Sequence, residues 1–185
     1  RGCEHGCIYC YARPYHEYLG LSAGVDFESR IFVKEDAPAL LRAALMAKSW
    51  TPQVIGLSGV TDPYQPVERR LKLTRGCLEV LAEFRNPVAL ITKNHLVTRD
   101  IDVLLPLVEH HAVQVFLSIT TLDDGLAQVM EPRASRPALR LEAVCKLRDA
   151  GIQVGVMVAP IIPGLTDHEV PAILEAAAAA GAMTA

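Results

Sequence analysis

The chain has 185 residues, of which 51% are hydrophobic and 21% charged, so it is long enough to bury a core as one globular domain. A formal net charge of −3 excludes a globally basic surface for nonspecific nucleic-acid binding, although a local basic groove stays compatible with it. No apolar run reaches the length of a membrane span, and the cysteine-rich start lacks a signal-peptide core. We therefore expect a cytoplasmic protein in a reducing compartment, without a membrane partner.

The first eleven residues contain three cysteines, Cys3, Cys7 and Cys10, with Tyr9 directly before the last of them. Thiolates are soft and negatively charged, so three in one short loop repel each other unless a metal compensates the charge. Three ligands leave one coordination position open, as a four-iron cluster allows, whereas a structural zinc site closes it with a fourth Cys or His. Two glycines in this stretch let the backbone turn tightly around a bulky cofactor. The spacing predicts a metal centre.

Two other interpretations of the cysteines stay open at this point. A zinc-binding structural or interaction module, without catalysis, could recruit His5 or His16 as its fourth ligand. A disulfide framework is disfavoured, because five cysteines are an odd number and Cys77 and Cys145 lie among apolar neighbours in helical patterns.

After the cysteines, short apolar runs alternate with helical patterns. A polar loop extends from Tyr11 to Val33, and a short strand is predicted at 31–34. Further strands are predicted at 54–58, 88–92, 113–120 and 152–159, and helices at 36–49, 73–84, 98–110, 124–130, 137–150 and 167–180.

This alternation predicts an α/β fold, a partial (β/α) TIM-type barrel with parallel strands and right-handed crossovers. No Rossmann glycine fingerprint, internal repeat or domain linker is visible, so residues 1–185 are interpreted as one core domain. The chain starts directly on the cysteine loop and stops at a helical alanine run, so we expect a fragment truncated at both ends. Chemistry in such barrels gathers where the strands end. The predicted strand ends carry polar groups at 58–62, 93–95, 118–121 and 160–164.

The Cys-x3-Cys-x2-Cys spacing, with Tyr9 before the last cysteine, resembles the radical S-adenosylmethionine (SAM) superfamily. The resemblance implies that Cys3, Cys7 and Cys10 hold a [4Fe-4S] cluster whose free iron binds SAM. It implies that reduction splits SAM into methionine and a 5′-deoxyadenosyl radical, which abstracts hydrogen from a substrate that the sequence does not identify. It also implies a (β/α) barrel and a reductant such as flavodoxin or ferredoxin.

Four further motifs, Thr-Asp-Pro-Tyr-Gln-Pro, Thr-Lys-Asn, Ser-Ile-Thr-Thr-Leu-Asp and Glu-Pro-Arg, are similar to the spore photoproduct lyase branch of that superfamily. The resemblance assigns SAM contacts to Tyr9, Ser58, Asp62, Lys93, Ser118 and Arg133. Ser58 or Asp62 would replace the glutamate that usually receives the methionine amino group, which is absent here. A lyase-like DNA repair reaction is a weaker expectation, because that lyase uses a cysteine near its C-terminal end and none follows Cys145.

Three of these candidates also have a purely structural interpretation. Asp62 can form an Asx turn before Pro63, and Arg133 can pair with Glu131. Lys93 can be a solvated residue after its strand. No side chain is assigned a catalytic role from the sequence, and the fragment could bind a cluster without completing a turnover.

Overall fold

The computed structural model describes residues 1–185, and its centre is a sheet of four parallel strands. The strands follow one another in sequence order and are β1 (Ile55–Leu57), β2 (Val88–Thr92), β3 (Val113–Ser118) and β4 (Gln153–Met157). Sequence-order neighbours joined by helical crossovers are the arrangement of a (β/α) barrel wall. The sheet does not close, so the predicted partial barrel is confirmed.

Eight helices surround the sheet: α1 (Val25–Ser29), α2 (Ala37–Leu45), α3 (Glu68–Leu71), α4 (Leu73–Phe84), α5 (Ile101–Val108), α6 (Asp124–Met130), α7 (Pro137–Asp149) and α8 (Val170–Ala180). Shorter 3-10 segments cover Arg13–Leu19, His95–Asp100 and Asp167–Glu169. None of the helices combines the length and the apolar character that a membrane crossing requires.

The core lies between the sheet and the helices and contains 25 buried hydrophobic residues. Strands β2 and β3 contribute Leu90, Val115 and Leu117, which are fully buried, and α4 contributes Leu78. Helices α4, α5 and α7 therefore return the chain to the next parallel strand while burying an apolar face.

Helix α7 departs from the predicted apolar stripe. Val144 and Leu147 are buried as expected, whereas Leu141 and Cys145 are only partly buried against the core. The face that the helix buries also includes Arg140, a charged residue with 1% exposure. A buried arginine requires a partner, and this partner lies in the candidate site.

One local prediction is wrong. Residues 31–34 form no strand, because this segment makes only a local pairing in which the backbone N–H of Phe32 donates to the carbonyl of Arg1. At the helix starts, Asp36 makes no side-chain bond to α2, and Asp167 accepts from the backbone N–H of Gly164 at 2.9 Å. Asp123 caps α6, since its side chain accepts from the backbone N–H of Leu126.

After α8 the chain turns at Gly181, whose φ of +98° is left-handed, and returns to the sheet. The backbone N–H of Met183 donates to Val154, and that of Val156 donates to Thr184. Thr184 thereby forms a parallel bridge beside β4, so the order of the barrel wall continues past the fourth strand.

Candidate functional site

A cavity of about 500 Å³ lies at the C-terminal ends of the strands. All three cysteines of the N-terminal loop line it, together with residues from the end of every strand. The strand-end residues include Ser58 after β1, Lys93 after β2, Ser118 at the end of β3 and Met157 at the end of β4. The fold thus brings the cysteine loop over the sheet edge where the sequence predicts a site.

Backbone hydrogen bonds hold the cysteine loop against the barrel wall. The N–H of Cys3 donates to the carbonyl of Phe27 at 3.0 Å, and the N–H of Ile8 donates to Met130 at 3.0 Å. Gly6, between two of the cysteines, has a φ of +70°, which disfavours any residue with a Cβ. A Cβ there would also lie 2.8 Å from a carboxylate oxygen of Glu28, so the Glu28 side chain would have to shift.

Two arginines support the outside of this loop through Glu28. Arg13 donates to the carbonyl of Cys7 at 3.0 and 2.9 Å and pairs with Glu28 at 2.6 Å. Arg133 pairs with the other oxygen of Glu28 at 2.7 Å and donates to the carbonyl of Glu4. Arg133 is not among the residues that line the cavity, and its predicted cofactor contact stays a prediction. Its expected pairing with Glu131 is also replaced by the pair with Glu28.

The thiols are buried, with Cys3 and Cys7 each 8% exposed. Burial raises the pKa of Cys7 to about 12, an effect that the charge of Lys93 opposes and that of Glu131 strengthens. Burial also raises the pKa of Cys10. Buried thiols of this kind ionise when a bound cation compensates the charge. No three His, Cys, Asp or Glu side chains are grouped so that they could hold a single metal ion.

His5 lies in the middle of the cysteine loop and is 1% exposed. Its Nδ1 is 3.4 Å from Oδ2 of Asp62, and its Nε2 is 3.2 Å from the amide nitrogen of Asn94. Burial alone would lower the pKa of His5, but the Asp62 carboxylate outweighs burial and raises it. The histidine therefore joins the loop to the segments that follow β1 and β2.

Asp62 accepts hydrogen bonds on both of its carboxylate oxygens. Oδ1 accepts from the backbone N–H of Tyr64 at 2.8 Å and from the hydroxyl of Thr92 at 2.7 Å. Oδ2 accepts from the backbone N–H of Lys93 at 2.8 Å and faces His5. A carboxylate offers about four lone-pair positions, and here all of them face donors. Asp62 forms the Asx turn and supports the loop, and it also lines the cavity, so its predicted cofactor contact stays a prediction.

Glu131 is the centre of a second buried network. Its carboxylate accepts from the hydroxyls of Tyr9 and, at 2.8 Å, Thr120. It pairs with Arg140 and lies 3.4 Å from Nζ of Lys93. Burial alone would raise the pKa of Glu131, but the positive charges of Lys93 and Arg140 outweigh burial and lower it to about 2. The network joins the cysteine loop, the end of β3 and helix α7.

In the Glu-Pro-Arg motif, the resemblance predicted a cofactor contact for Arg133. The structure instead places Glu131 of that motif at the centre of the buried network. A signal for it existed in α7, because Arg140 is spaced with Pro137, Val144 and Leu147 on one helical face. A charged residue on a buried stripe implies a buried counter-charge, and the nearest unassigned acid before the helix is Glu131.

His16, the other histidine proposed as a metal ligand, lies away from the cavity. It is fully buried, and its Nε2 is 3.0 Å from the carbonyl of Arg30. Its ring packs edge-on against Phe27 and Phe32, with centroid distances of 5.1 and 5.9 Å. The structure therefore gives His16 a packing role under the cysteine loop.

The family model of the radical SAM superfamily matches residues 1–177, which is nearly the whole chain. The chain belongs to this superfamily. The resemblance of the cysteine motif to this superfamily is thereby confirmed.

Sequence relatives of this radical SAM domain include bacterial and archaeal proteins. The uncharacterized protein Rv2578c of Mycobacterium tuberculosis is 38% identical over 184 residues, which cover 98% of this chain and 54% of that protein. The uncharacterized protein MJ0683 of Methanocaldococcus jannaschii is 31% identical over 168 residues, covering 91% of this chain and 60% of that protein. The chain spans little more than half the length of these relatives.

Among solved structures, a spore photoproduct lyase variant with bound SAM and dinucleoside spore photoproduct superposes with a TM-score of 0.63. It is 20% identical, and the match covers 97% of this chain and 49% of that chain. At this identity the likeness shows the fold. The radical SAM domain thus has the barrel wall that the sequence predicts.

Four of the six residues predicted to contact SAM have side chains that lie outside the two supporting networks or take only a partial role in them. These are Tyr9, Ser58, Lys93 and Ser118. Ser58 is exposed and lines the cavity, and Ser118 lines it from the end of β3. Nζ of Lys93 lies 5.6 Å from the ring centroid of Tyr9, and both residues line the cavity. These four residues line the cavity together with the cysteines, whereas Asp62 and Arg133 are engaged in holding the loop.

Proposed function

We propose that this domain is the core of a radical SAM enzyme in which Cys3, Cys7 and Cys10 bind a [4Fe-4S] cluster and SAM binds in the cavity beside it. The observation that carries the proposal is that all three cysteines line one cavity with the ends of all four strands. A one-electron donor such as flavodoxin or ferredoxin would supply the reducing electron.

The chemistry of the donor set fits a cluster. Three soft thiols surround one space, and burial raises the pKa of Cys7 to about 12, so the thiolates need positive charge beside them. A cluster distributes its cysteine ligands over several iron atoms, and the three sulfurs need not meet at one ion. The cavity of about 500 Å³ is also in the size range of small-molecule sites.

Cys3, Cys7 and Cys10 would hold the cluster, and its chemistry would be one-electron reductive cleavage of SAM. The chain's own residues provide position and shielding. Lys93 brings a positive charge to the cavity, held by Glu131, where it can meet a carboxylate of the cofactor. The hydroxyls of Ser58 and Ser118 offer hydrogen bonds from neighbouring strand ends, and Tyr9 offers a ring face held through its hydroxyl by Glu131.

Water exclusion follows from the same arrangement. Met157 at the end of β4, with Pro160 and Ile162 after it, adds apolar groups to the cavity lining. Tyr11 also lines the cavity, and its hydroxyl donates to the carbonyl of Gly59 at 2.7 Å. An apolar wall around a reactive centre protects it from side reactions with solvent.

The test is anaerobic reconstitution with iron and sulfide, followed by addition of dithionite and SAM without substrate. We expect a brown protein that absorbs near 400 nm, roughly the region of sulfur-to-iron charge transfer, and that releases 5′-deoxyadenosine. A colourless protein with stoichiometric zinc would contradict the proposal. A brown protein that releases no 5′-deoxyadenosine would restrict the domain to cluster binding.

A further inference from the structure

His5 and Asp62 place a charge pair beside the cysteines that the proposed reaction does not use. His5 is separated from Cys3 by one residue and from Cys7 by one residue, and it lines the same cavity. Asp62 also lines that cavity, and its side chain is 11% exposed. A carboxylate that lines the same cavity as the proposed cluster ligands would act on a bound cluster electrostatically.

The hydrogen bonds of Asn94 show how the His5 ring is oriented toward Asp62. The amide oxygen of Asn94 accepts from the backbone N–H of Leu96 and from the hydroxyl of Ser135, so its amide nitrogen faces His5. That nitrogen lies 3.2 Å from Nε2 of His5, and Nδ1 on the other side of the ring faces Oδ2 of Asp62 at 3.4 Å. Asp62 is thus ionised among four donors, and His5 is the one donor that belongs to the cysteine loop.

We infer that His5 and Asp62 are a positioning pair that sets the reduction potential of the cluster, with the carboxylate lowering the potential and the histidine moderating it. The inference rests on the proposed function. Reduction adds a negative charge to the cluster, so a neighbouring carboxylate disfavours the reduced state, and a donor that compensates the carboxylate favours it. Net charge and hydrogen bonding around an iron–sulfur centre are recognised determinants of its potential.

The midpoint potential of the cluster should shift in opposite directions in two variants, which a merely structural role of the pair would not produce. The variant Asp62→Asn removes the negative charge and raises the midpoint potential. The variant His5→Leu leaves the carboxylate less compensated and lowers the potential, so that the ratio of reduced to oxidised cluster falls about tenfold, a shift of about 59 mV for one electron. The variant His5→Asn keeps a donor near the Nδ1 position and restores most of the wild-type potential.

The experiment is a potentiometric titration of the anaerobically reconstituted proteins, followed by EPR, with iron content measured in each sample. The matched control is His95→Leu, because His95 lies after β2 with its ring at the surface beside Glu142 and Lys146. We expect this control to keep the wild-type potential.

Each outcome decides between the two proposals. Wild-type protein that binds zinc or no iron overturns the proposed function, and this inference with it. Wild-type protein with a cluster, but with Asp62→Asn and His5→Leu unshifted or shifted in the same direction, overturns the positioning pair alone. If His5→Leu loses its iron, the sign of the Asp62→Asn shift decides, and a potential that does not rise overturns the inference.

Discussion

Arg140 and Glu131 form an ion pair inside the protein, with side-chain exposures of 1% and 0%. Arg140 also donates to the carbonyls of Ser118 at 2.8 Å and Ser135 at 2.7 Å, so its guanidinium is almost fully engaged. Glu131 in turn holds Tyr9 of the cysteine loop. The pair therefore connects helix α7 to the loop that carries the proposed cluster ligands.

Replacing Arg140 by Met tests this relationship. The substitution leaves the Glu131 carboxylate buried with less compensation, and breaking a buried pair from one side costs about 3–5 kcal/mol. We expect a decrease of this size in the free energy of unfolding, measured by urea denaturation. The control is Arg42→Met, which breaks the exposed pair with Glu83 and changes stability little. Equal losses in both variants would contradict a special role for the buried pair.

Glu131 should also give a distinct pH dependence of stability. Its pKa is lowered from 4.5 to about 2 in the folded state, so the unfolded chain binds more protons between these values. Its stabilisation is present above about pH 4.5 and is lost as the pH falls toward 2, an effect of about 3 kcal/mol. Urea midpoints of wild type and Glu131→Gln should therefore converge over this range. A constant difference between the two proteins would show that the carboxylate charge is not responsible.

The sequence predicts the strands and most helices because their signals are local. Val88–Thr92, Leu73–Phe84 and Asp124–Met130 have the predicted bounds, since apolar periodicity and turn residues define them directly. The cysteine loop is also local, and its residues do line the cavity. These features depend on neighbours within one segment.

The partners of the charged side chains could not be predicted in this way. Glu131 contacts Arg140, Tyr9 and Lys93, which lie on three separate segments of the chain. Asp62 contacts His5, which is 57 positions earlier in the sequence (62 − 5). Which of several polar groups a buried charge selects depends on how the strand ends converge. Sequence motifs therefore named the right segments, but they did not predict that Asp62 and Arg133 hold the cysteine loop through His5 and Glu28.

Substitution of a cysteine in the loop should reduce iron binding, whereas substitution of Cys77 or Cys145 should not. Substituting Cys7 by Ala removes a proposed cluster ligand, and we expect the reconstituted protein to lose most of its iron and its absorbance near roughly 400 nm. Cys77 lies in α4 and Cys145 in α7, and neither lines the cavity. Their Ala variants are matched controls and should keep full iron content. Loss of iron in a control variant would point to a different ligand set.

Gly6 offers a test of the loop backbone. Alanine at this position meets both a φ of +70° and a contact of 2.8 Å with Glu28. Gly20 has a nearly identical φ of +71° with nothing within 4 Å, so Gly20→Ala isolates the conformational cost, roughly 1–2 kcal/mol. We expect Gly6→Ala to lose more stability than Gly20→Ala in urea denaturation and to bind less iron. Equal losses would mean that Glu28 and its arginines move aside.

Lys93 is the positive group that the structure holds at the wall of the cavity, between Glu131 and the ring of Tyr9. The variant Lys93→Met removes its charge, while Glu131 keeps Arg140 and Thr120 as partners. Since a hydrogen bond to a charged group contributes about 1.5–3 kcal/mol, we expect SAM to bind roughly tenfold to 100-fold more weakly.

Calorimetry with SAM and the anaerobically reconstituted protein measures this change in affinity, and iron content shows that the cluster is retained. Lys146→Met is the control, because Lys146 lies at the surface of α7, 2.7 Å from Glu142. An unchanged dissociation constant for Lys93→Met would remove Lys93 from the SAM site. It would leave the lysine a role in compensating the charges of Glu131 and the cysteine thiolates, since its charge favours ionisation of Cys7.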